Sequence, residues 1–404
     1  MRAFIKVKKS EMIGLLDYIF LTLVIIMSGT MYVQVDLNFI PVNLFQIFTL
    51  VLAIGISVFR IKYLSKRFIL WMTLVFSSFI IYSVCNIGFF KEGLRYVYLP
   101  LLVFSVYVYT VWKSKDSISI FTKLVNITVA LSILSLFFYF AGSVLTIIKP
   151  TAYYSLQWSF LASVPSYYDL HFETMTIGNI LGFKLIKNSG IFPEAPMFTY
   201  LLCFALGVQI SILDKNIKKT MVLIVTIITT GTMTGFLTLL IIYALKILTT
   251  KIRSKLKFII KFVFIVPAFI LSAMIAFSMF LEKMTTVSYG TRLDHFVCSF
   301  LAFMKSGFMG VGISNHSDLL KYATVKQGLS VGLSVLFAEA GISIFFLIIY
   351  AIYRKLRCKQ FDLLVVVFLI LSTLTYVVFQ MRFWLFFLLV FSECLFGGKT
   401  KQKM

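Results

Sequence analysis

The amino-acid sequence predicts an all-α fold, a polytopic membrane helical bundle, and three observations support it. Of the 404 residues, 60% are hydrophobic and only 13% are charged, whereas about a quarter of the residues in soluble domains are charged. The apolar residues form runs of about 18 or more, enough for a helix to cross a hydrocarbon core of roughly 30 Å. Because a backbone inside a bilayer has no water to bind, each run must satisfy its own hydrogen bonds as a helix.

We interpret the runs as about 12 transmembrane helices, with 10 as the lower bound, in one polytopic domain of residues 1–404. The predicted spans are 13–33, 39–59, 68–90, 94–112, 122–148, 196–213, 219–231, 234–250, 258–281, 331–353, 361–379 and 382–397. The glycines and threonines of Gly231–Gly235 separate the seventh span from the eighth. One long kinked helix over 219–250 is the alternative, and it would invert the topology downstream.

The net charge of +23 suggests nucleic-acid binding, but the positions of the cations argue against such a partner. Lysines and arginines fall mostly in short segments between apolar runs, where they orient helices in a membrane. With twelve spans and the N-terminus inside, most cations lie in the inner segments although the outer segments are longer. The sequence therefore predicts that both termini are cytoplasmic.

Two connections are much longer than the others, and both are predicted to be extracytoplasmic. They cover residues 149–195 and 282–330. Long loops in compact proteins commonly carry function. All three histidines lie in these loops, at His171, His295 and His316. We therefore expect the functional surface on the extracytoplasmic side.

The end of the first loop combines a cation, a glycine and a carboxylate. Lys187, Gly190 and Glu194 precede Pro196, and proline is well tolerated in the first turn of a helix. Glu194 would then lie near the positive end of the sixth span, which stabilises a carboxylate. A helix cap with a surface charge is the alternative for this segment.

The second loop carries cations ahead of several glycines. Arg292 offers a planar fork for phosphate oxygens, and Lys305 a point charge. Gly307, Gly310 and Gly312 permit tight turns and close approach of the backbone to a ligand. An anchor at the membrane surface, followed by turn glycines, is the alternative.

Glu339 falls inside the predicted span 331–353. Ionisable groups inside a membrane are costly and usually face the bundle interior or a water-filled cavity. Pairing with a basic residue is the alternative to a catalytic role. Arg95 and Arg382, at the outer ends of two other spans, are further candidate phosphate ligands, although such residues are more often interface anchors.

In this order, the segments resemble the bacterial O-antigen and capsule polymerase family of the Wzy type and the related O-antigen ligases. The matching elements are Lys187/Gly190/Phe192/Glu194, then Gly290-Thr291-Arg292, then Gly310-Val311-Gly312, then Glu339-Ala340-Gly341. The chain departs from the family pattern at two positions. Lys187 stands where the family commonly has arginine, and Ala195 separates Glu194 from the proline.

The resemblance implies a polymerase of O-antigen or capsule repeat units carried on undecaprenyl diphosphate, at the outer face of the bacterial cytoplasmic (inner) membrane. A sugar hydroxyl of one unit attacks the anomeric carbon of the growing chain, and undecaprenyl diphosphate leaves. The implied enzyme is a glycosyltransferase without metal or cofactor. Its implied partners are the lipid-linked oligosaccharide, membrane lipid, a flippase and a chain-length regulator.

The hypothesis gives the candidate residues two kinds of role. Cations would stabilise the charge that develops on the departing diphosphate, with Arg292 as the main ligand and Lys187, Lys305, Arg382 and Arg95 assisting. A base must take the proton of the attacking hydroxyl. The candidate bases, which the sequence does not rank, are Glu194, His316 and Glu339.

Two other functions stay open. An O-antigen ligase shares the fold and donor but uses another acceptor, and a prominent histidine in its late loop would correspond to His295 or His316. A flippase or secondary transporter is the alternative from another class. It predicts short loops, several charged residues at mid-membrane and internal symmetry. The two long loops and the lack of a visible repeat argue against it.

Overall fold

The computed structural model describes residues 2–34, 41–61, 63–155, 163–180, 183–213, 216–249, 287–324, 329–358 and 362–397. These residues are mostly helical, as predicted. Among the described helices, four are long and apolar enough to cross a membrane: Val42–Arg60, Lys66–Cys85, Ile87–Ser114 and Ser117–Val144. The predicted ninth span, 258–281, lies outside the described residues, and the full number of spans stays a prediction.

The helices follow one another with short connections except at the two long loops. The first half contains α1 (Arg2–Ile26), α2 (Met31–Gln34), α3 (Val42–Arg60), α4 (Lys66–Cys85), α5 (Phe90–Gly93), α6 (Leu99–Ser114) and α7 (Ser117–Phe138). Turns of 3-10 helix (Ile87–Phe89) and π-helix (Leu94–Tyr98 and Tyr139–Val144) extend α5, α6 and α7. The second half contains α8 (Ala195–Ser211), α9 (Ile217–Thr229), α10 (Met233–Thr249), α11 (Val287–Lys305), α12 (His316–Leu320), α13 (Leu333–Ala340), α14 (Ile342–Arg357), α15 (Leu363–Leu374) and α16 (Met381–Phe396).

A strictly all-α fold is wrong for the first long loop, which contains short antiparallel strands. They are β1 (Ala152–Tyr154), β2 (Val164–Tyr167), β3 (His171–Phe172), β4 (Thr176–Ile180) and β5 (Phe183–Ile186). β1, β2 and β3 form one sheet, and β4 pairs with β5. Aromatic and β-branched side chains favour such strands. A prediction based on membrane-length apolar runs cannot detect them because they are too short.

Glycines with positive φ separate helices at two places. Gly231 (φ 56°) lies between α9 and α10, which confirms two helices rather than one. Gly341 (φ 68°) divides the predicted span 331–353 into α13 and α14. A Cβ on Gly341 would lie 2.2 Å from the carbonyl oxygen of Met309. The single helix predicted there is therefore wrong, because the chain must bend to let another segment pass.

Helix α16 forms the centre of the bundle. Nearly every residue from Met381 to Phe396 is buried, and the helix packs against α1, α4, α6, α14 and α15. A helix that is apolar on all sides is expected in the interior rather than at a surface. The charged residue at its start, Arg382, is therefore carried into the protein interior.

The two long loops meet at one end of the bundle, which we call the loop end. The hydrogen bonds that join its segments are Met31 N to Ile191 O (2.9 Å), Arg382 N to Ser28 Oγ (2.9 Å), Asn188 N to Thr229 O (3.0 Å) and Asn86 Nδ2 to Met309 O (3.1 Å). The opposite end carries ion pairs between Arg60 and Asp116 and between Lys355 and Asp362. The predicted functional residues of the loops therefore assemble on one side.

Candidate active site

The segment from Lys187 to Glu194 is held rigidly at the loop end. Asn188 is buried, and its side chain donates to Thr229 Oγ1 at 3.0 Å while its oxygen accepts the Gly190 amide at 3.2 Å. Gly190 has φ 56° and lies against the ring of Phe198, which explains why glycine is required there. Sequence reasoning passed over Asn188, although a buried amide in a loop is a common means of fixing backbone.

Glu194 stands at the N-cap position of α8, but its side chain makes no capping hydrogen bond. The predicted cap role is therefore wrong, and the carboxylate is available for other interactions. Pro196 lies in the first turn, where its missing amide hydrogen costs nothing. Burial raises the pKa of Glu194, and the nearby Arg292 partly offsets this rise in pKa.

Helix α11 brings Arg292 to the same place. Arg292 influences the charges of both Lys187 and Glu194: burial lowers the pKa of Lys187, and Arg292 lowers that pKa further. Burial also lowers the pKa of Arg292, which Glu194 partly restores. Two cations therefore lie near one carboxylate, and the local net charge is positive.

Arg382 is fully buried on the other side of the same segment. Its guanidinium lies 4.6 Å from the ring centre of Phe192 and 5.5 Å from that of Tyr200, and its Nε donates to Gln380 Oε1 at 2.9 Å. Neither Nη1 nor Nη2 forms a hydrogen bond with any described residue. Buried polar groups are usually satisfied, so this guanidinium has unused capacity to bind an anion.

We call Lys187, Arg292 and Arg382 the loop-end cation cluster. All three face residues of the segment 187–196, either through electrostatic influence or through ring contact. An Arg guanidinium suits phosphate oxygens because it offers several donors in a planar fork. Three of the five predicted diphosphate ligands are thus brought to one region.

The other two predicted cations lie elsewhere. Lys305 is at the far end of α11 from Arg292, about 20 Å away along the helix axis at 1.5 Å per residue. Arg95 is exposed, and its guanidinium donates to Asn43 and to Gln46 Oε1 at 3.0 Å. Neither side chain contributes to the loop-end cation cluster in this conformation.

The glycine element of the second loop packs directly on the glutamate-glycine element. The Gly312 amide donates to the Glu339 carbonyl at 3.0 Å. A Cβ on Gly310 (φ 83°) would lie 2.5 Å from the same carbonyl oxygen. The Gly310 and Gly341 backbones can cross this closely only without side chains. The two motifs, almost thirty residues apart in sequence, therefore form one structural unit.

This unit places His316 against Glu339. His316 Nδ1 and Glu339 Oε1 are 2.9 Å apart, and the other carboxylate oxygen accepts the Ser314 amide at 2.8 Å. The Glu339 side chain is completely buried, whereas the His316 side chain is 47% exposed. The hydrogen bond to Glu339 raises the pKa of His316 against the opposing effect of burial.

The pair has the geometry of an oriented general base. With Nδ1–H donating to the carboxylate, the other ring nitrogen of His316 carries a lone pair that can take a proton. The remaining histidines are buried: His295 lies against Ser330 Oγ at 3.0 Å, and His171 packs under the first sheet. Burial lowers the pKa of His171 to about 3. Only His316 therefore presents an exposed imidazole among the three.

Within the described residues, no three His, Cys, Asp or Glu side chains converge as metal ligands. Comparison of the chain with protein-family models, curated proteins and solved structures finds no match. The functional assignment therefore depends on the chemistry of the site itself.

Proposed function

We propose that this protein is a polytopic membrane glycosyltransferase, a polymerase that joins oligosaccharide repeat units carried on undecaprenyl diphosphate. The observation that carries the proposal is the buried guanidinium of Arg382, whose two terminal nitrogens have no partner among the described residues. A buried cation without a partner costs free energy unless an anion completes its hydrogen bonds. A diphosphate has the charge and the number of oxygens required.

The loop-end cation cluster would bind the leaving group. When the bond between the anomeric carbon and the diphosphate breaks, negative charge develops on the bridging oxygen. Cations positioned before the reaction stabilise that charge without having to reorganise. Lys187 and Arg292 have little opposing charge beyond Glu194, so they supply a positive field at this point.

His316 would serve as the base. It takes the proton from the acceptor hydroxyl as the oxygen attacks the anomeric carbon, and Glu339 stabilises the imidazolium that results. The bond to diphosphate breaks, and undecaprenyl diphosphate departs with the electron pair. Among the three candidate bases, His316 is favoured because it combines an orienting carboxylate with an exposed ring nitrogen.

The proposal also includes the setting. The chain crosses the bacterial cytoplasmic membrane about 12 times, both termini are cytoplasmic, and the loop end faces outward. The apolar helices and the cation-rich opposite end support this orientation. The lipid carrier would then reach the loop-end cation cluster from the membrane, while the sugars extend into the aqueous space above it.

The test compares glycan ladders in a bacterial strain that lacks the chromosomal gene and carries a plasmid copy. Arg292→Ala and Arg382→Gln should each abolish long chains and leave single repeat units, at normal protein levels. Arg95→Ala is the matched control, because Arg95 is an exposed arginine bound to α3, and it should keep the full ladder. Long chains from both site variants would remove the cluster from the mechanism.

The same experiment separates the alternatives. If the protein is a ligase, the site variants still accumulate polymer on the lipid carrier, and polymer is missing only from the final lipid acceptor. If it is a flippase or another transporter, single repeat units also disappear from the outer surface. Either pattern would contradict the polymerase assignment.

A further inference from the structure

An apolar crevice opens beside the loop-end cation cluster. It has a volume of about 170 Å³ and lies between α1 and α7, beneath the first loop. Ile25 and Ile26 form one wall, Leu131 and Leu134 the other, and Leu170 closes it from the loop. The side chains are mainly aliphatic, so the crevice suits a hydrocarbon rather than a sugar.

The crevice adjoins the buried guanidinium of Arg382. Ile191 lines the crevice, and the next residue, Phe192, carries the guanidinium on its ring face. Ile26 also lines it, and two residues further on Ser28 accepts the Arg382 amide. Since consecutive Cα atoms are only about 3.8 Å apart, the apolar walls and the unpartnered cation belong to one continuous surface.

We infer that this crevice binds the isoprene unit nearest the diphosphate of the lipid carrier; this inference rests on the proposed function. In an isoprenyl diphosphate the hydrocarbon begins at the phosphate ester itself, so an apolar pocket should adjoin the phosphate site. In a phospholipid, glycerol separates the phosphate from the acyl chains. The contact between crevice and guanidinium fits the first arrangement.

The size of the crevice agrees with one isoprene unit. An apolar cavity of roughly 150 Å³ accommodates benzene, and a five-carbon isoprene unit has a similar volume. The crevice therefore cannot enclose the whole carrier. Its mouth at Leu134 is 41% exposed, and the neighbouring α7 residues Ile133 and Phe137 are exposed apolar side chains. The rest of the isoprenoid would leave along this face into the bilayer.

The experiment measures binding to the purified full-length protein in phosphatidylcholine nanodiscs. The probes are geranylgeranyl diphosphate and inorganic pyrophosphate. Leu131→Trp fills the crevice and should weaken geranylgeranyl diphosphate binding at least tenfold while leaving pyrophosphate binding unchanged. Ile133→Trp, an exposed position on the same helix, is the control and should change neither. Leu134→Phe provides a second filling variant if Leu131→Trp does not fold.

The outcomes distinguish the two proposals. If pyrophosphate binds and Arg382→Gln abolishes that binding, but the filling variants bind geranylgeranyl diphosphate normally, the crevice assignment is wrong and the diphosphate site stands. If pyrophosphate does not bind the unmodified protein, the proposed function itself fails. If phosphatidylglycerol displaces geranylgeranyl diphosphate at equal concentration, the crevice is a general acyl-chain site, which also overturns the inference.

Discussion

The two ends of the bundle treat buried charge in opposite ways. At the opposite end, Asp17 is fully buried, and its carboxylate oxygens accept two hydrogen bonds from Arg60 (2.8 and 2.6 Å) and one from Lys123 (2.7 Å). Tyr107 donates a further hydrogen bond at 3.0 Å. At the loop end, Arg382 is equally buried, yet its terminal nitrogens have no partner among the described residues.

This difference separates structural charges from charges kept for a ligand. Taking a charge out of water costs several kcal/mol, and only good pairing offsets that cost. The Asp17 cluster joins α1, α3, α6 and α7 and recovers the cost within the protein. The loop-end cation cluster does not recover it internally, so the expected compensation comes from a bound anion. Unpaired buried charge is thus the better sign of function.

The largest effect on folding should come from Asp17→Asn. The variant leaves Arg60 and Lys123 buried without a counter-charge, which should cost about 3–5 kcal/mol. Thermal unfolding in detergent and the protein level in membranes both report it. Asp116→Asn is the matched control, because Asp116 is half-exposed and 3.5 Å from Arg60, so its removal should cost less than about 1 kcal/mol. Unchanged stability of Asp17→Asn with loss of polymer would instead give this cluster a functional role.

A smaller effect, on rate rather than folding, should come from His316→Gln. Loss of a general base lowers the rate about 10²–10⁴-fold. A base must be neutral, and Glu339 raises the pKa of His316. The polymerisation rate of the unmodified protein should therefore fall on acidification, beginning above the ordinary histidine value of about 6.5.

The pH profile of the variants tests this assignment beyond the loss of rate. Glu339→Gln removes the cause of the raised pKa, so the acid limb should move to lower pH. His295→Gln should keep the acid limb where it is, since His295 is buried against Ser330. The rate is measured as ladder formation in membrane vesicles at a series of pH values. An acid limb that persists in His316→Gln would exclude His316 as the base.

The smallest effect should come from Lys187→Met. Removing this cation relieves repulsion by Arg292, so the free energy of unfolding should stay within about 1 kcal/mol of the original. Pyrophosphate affinity should fall about tenfold, equivalent to roughly 1.4 kcal/mol. Lys187→Arg should retain the affinity, because it keeps the charge and adds a planar fork. A large loss of stability would mean that Lys187 is structural, like the charges at the opposite end.

The features that follow from local composition were predictable. Apolar runs longer than a bilayer needs for a helix identified the helices that the structure describes, because backbone groups in hydrocarbon leave no other choice. Glycine and threonine content located the turn at Gly231. Glu194, Arg292 and Arg382 were selected as charged residues next to apolar spans, and the structure brings all three to the same segment.

Contacts between distant segments were not predictable. The sequence left Glu194, His316 and Glu339 unranked as bases, because nothing local shows that His316 and Glu339 meet. Lys305 and Arg95 matched the chemistry of a phosphate ligand equally well, but helix direction and the neighbours on α3 place them elsewhere. The short strands of the first loop and the bend at Gly341 likewise depend on the chain that packs against them.

The sequence by itself determined that this protein is helical, which surfaces are apolar, and which few charged residues break those surfaces. These properties follow from each residue's own free energy of transfer out of water. The tertiary structure alone decided which buried charges are paired and which are left for a ligand. Pairing depends on distances between helices far apart in the chain, and those distances exist only after the bundle has packed.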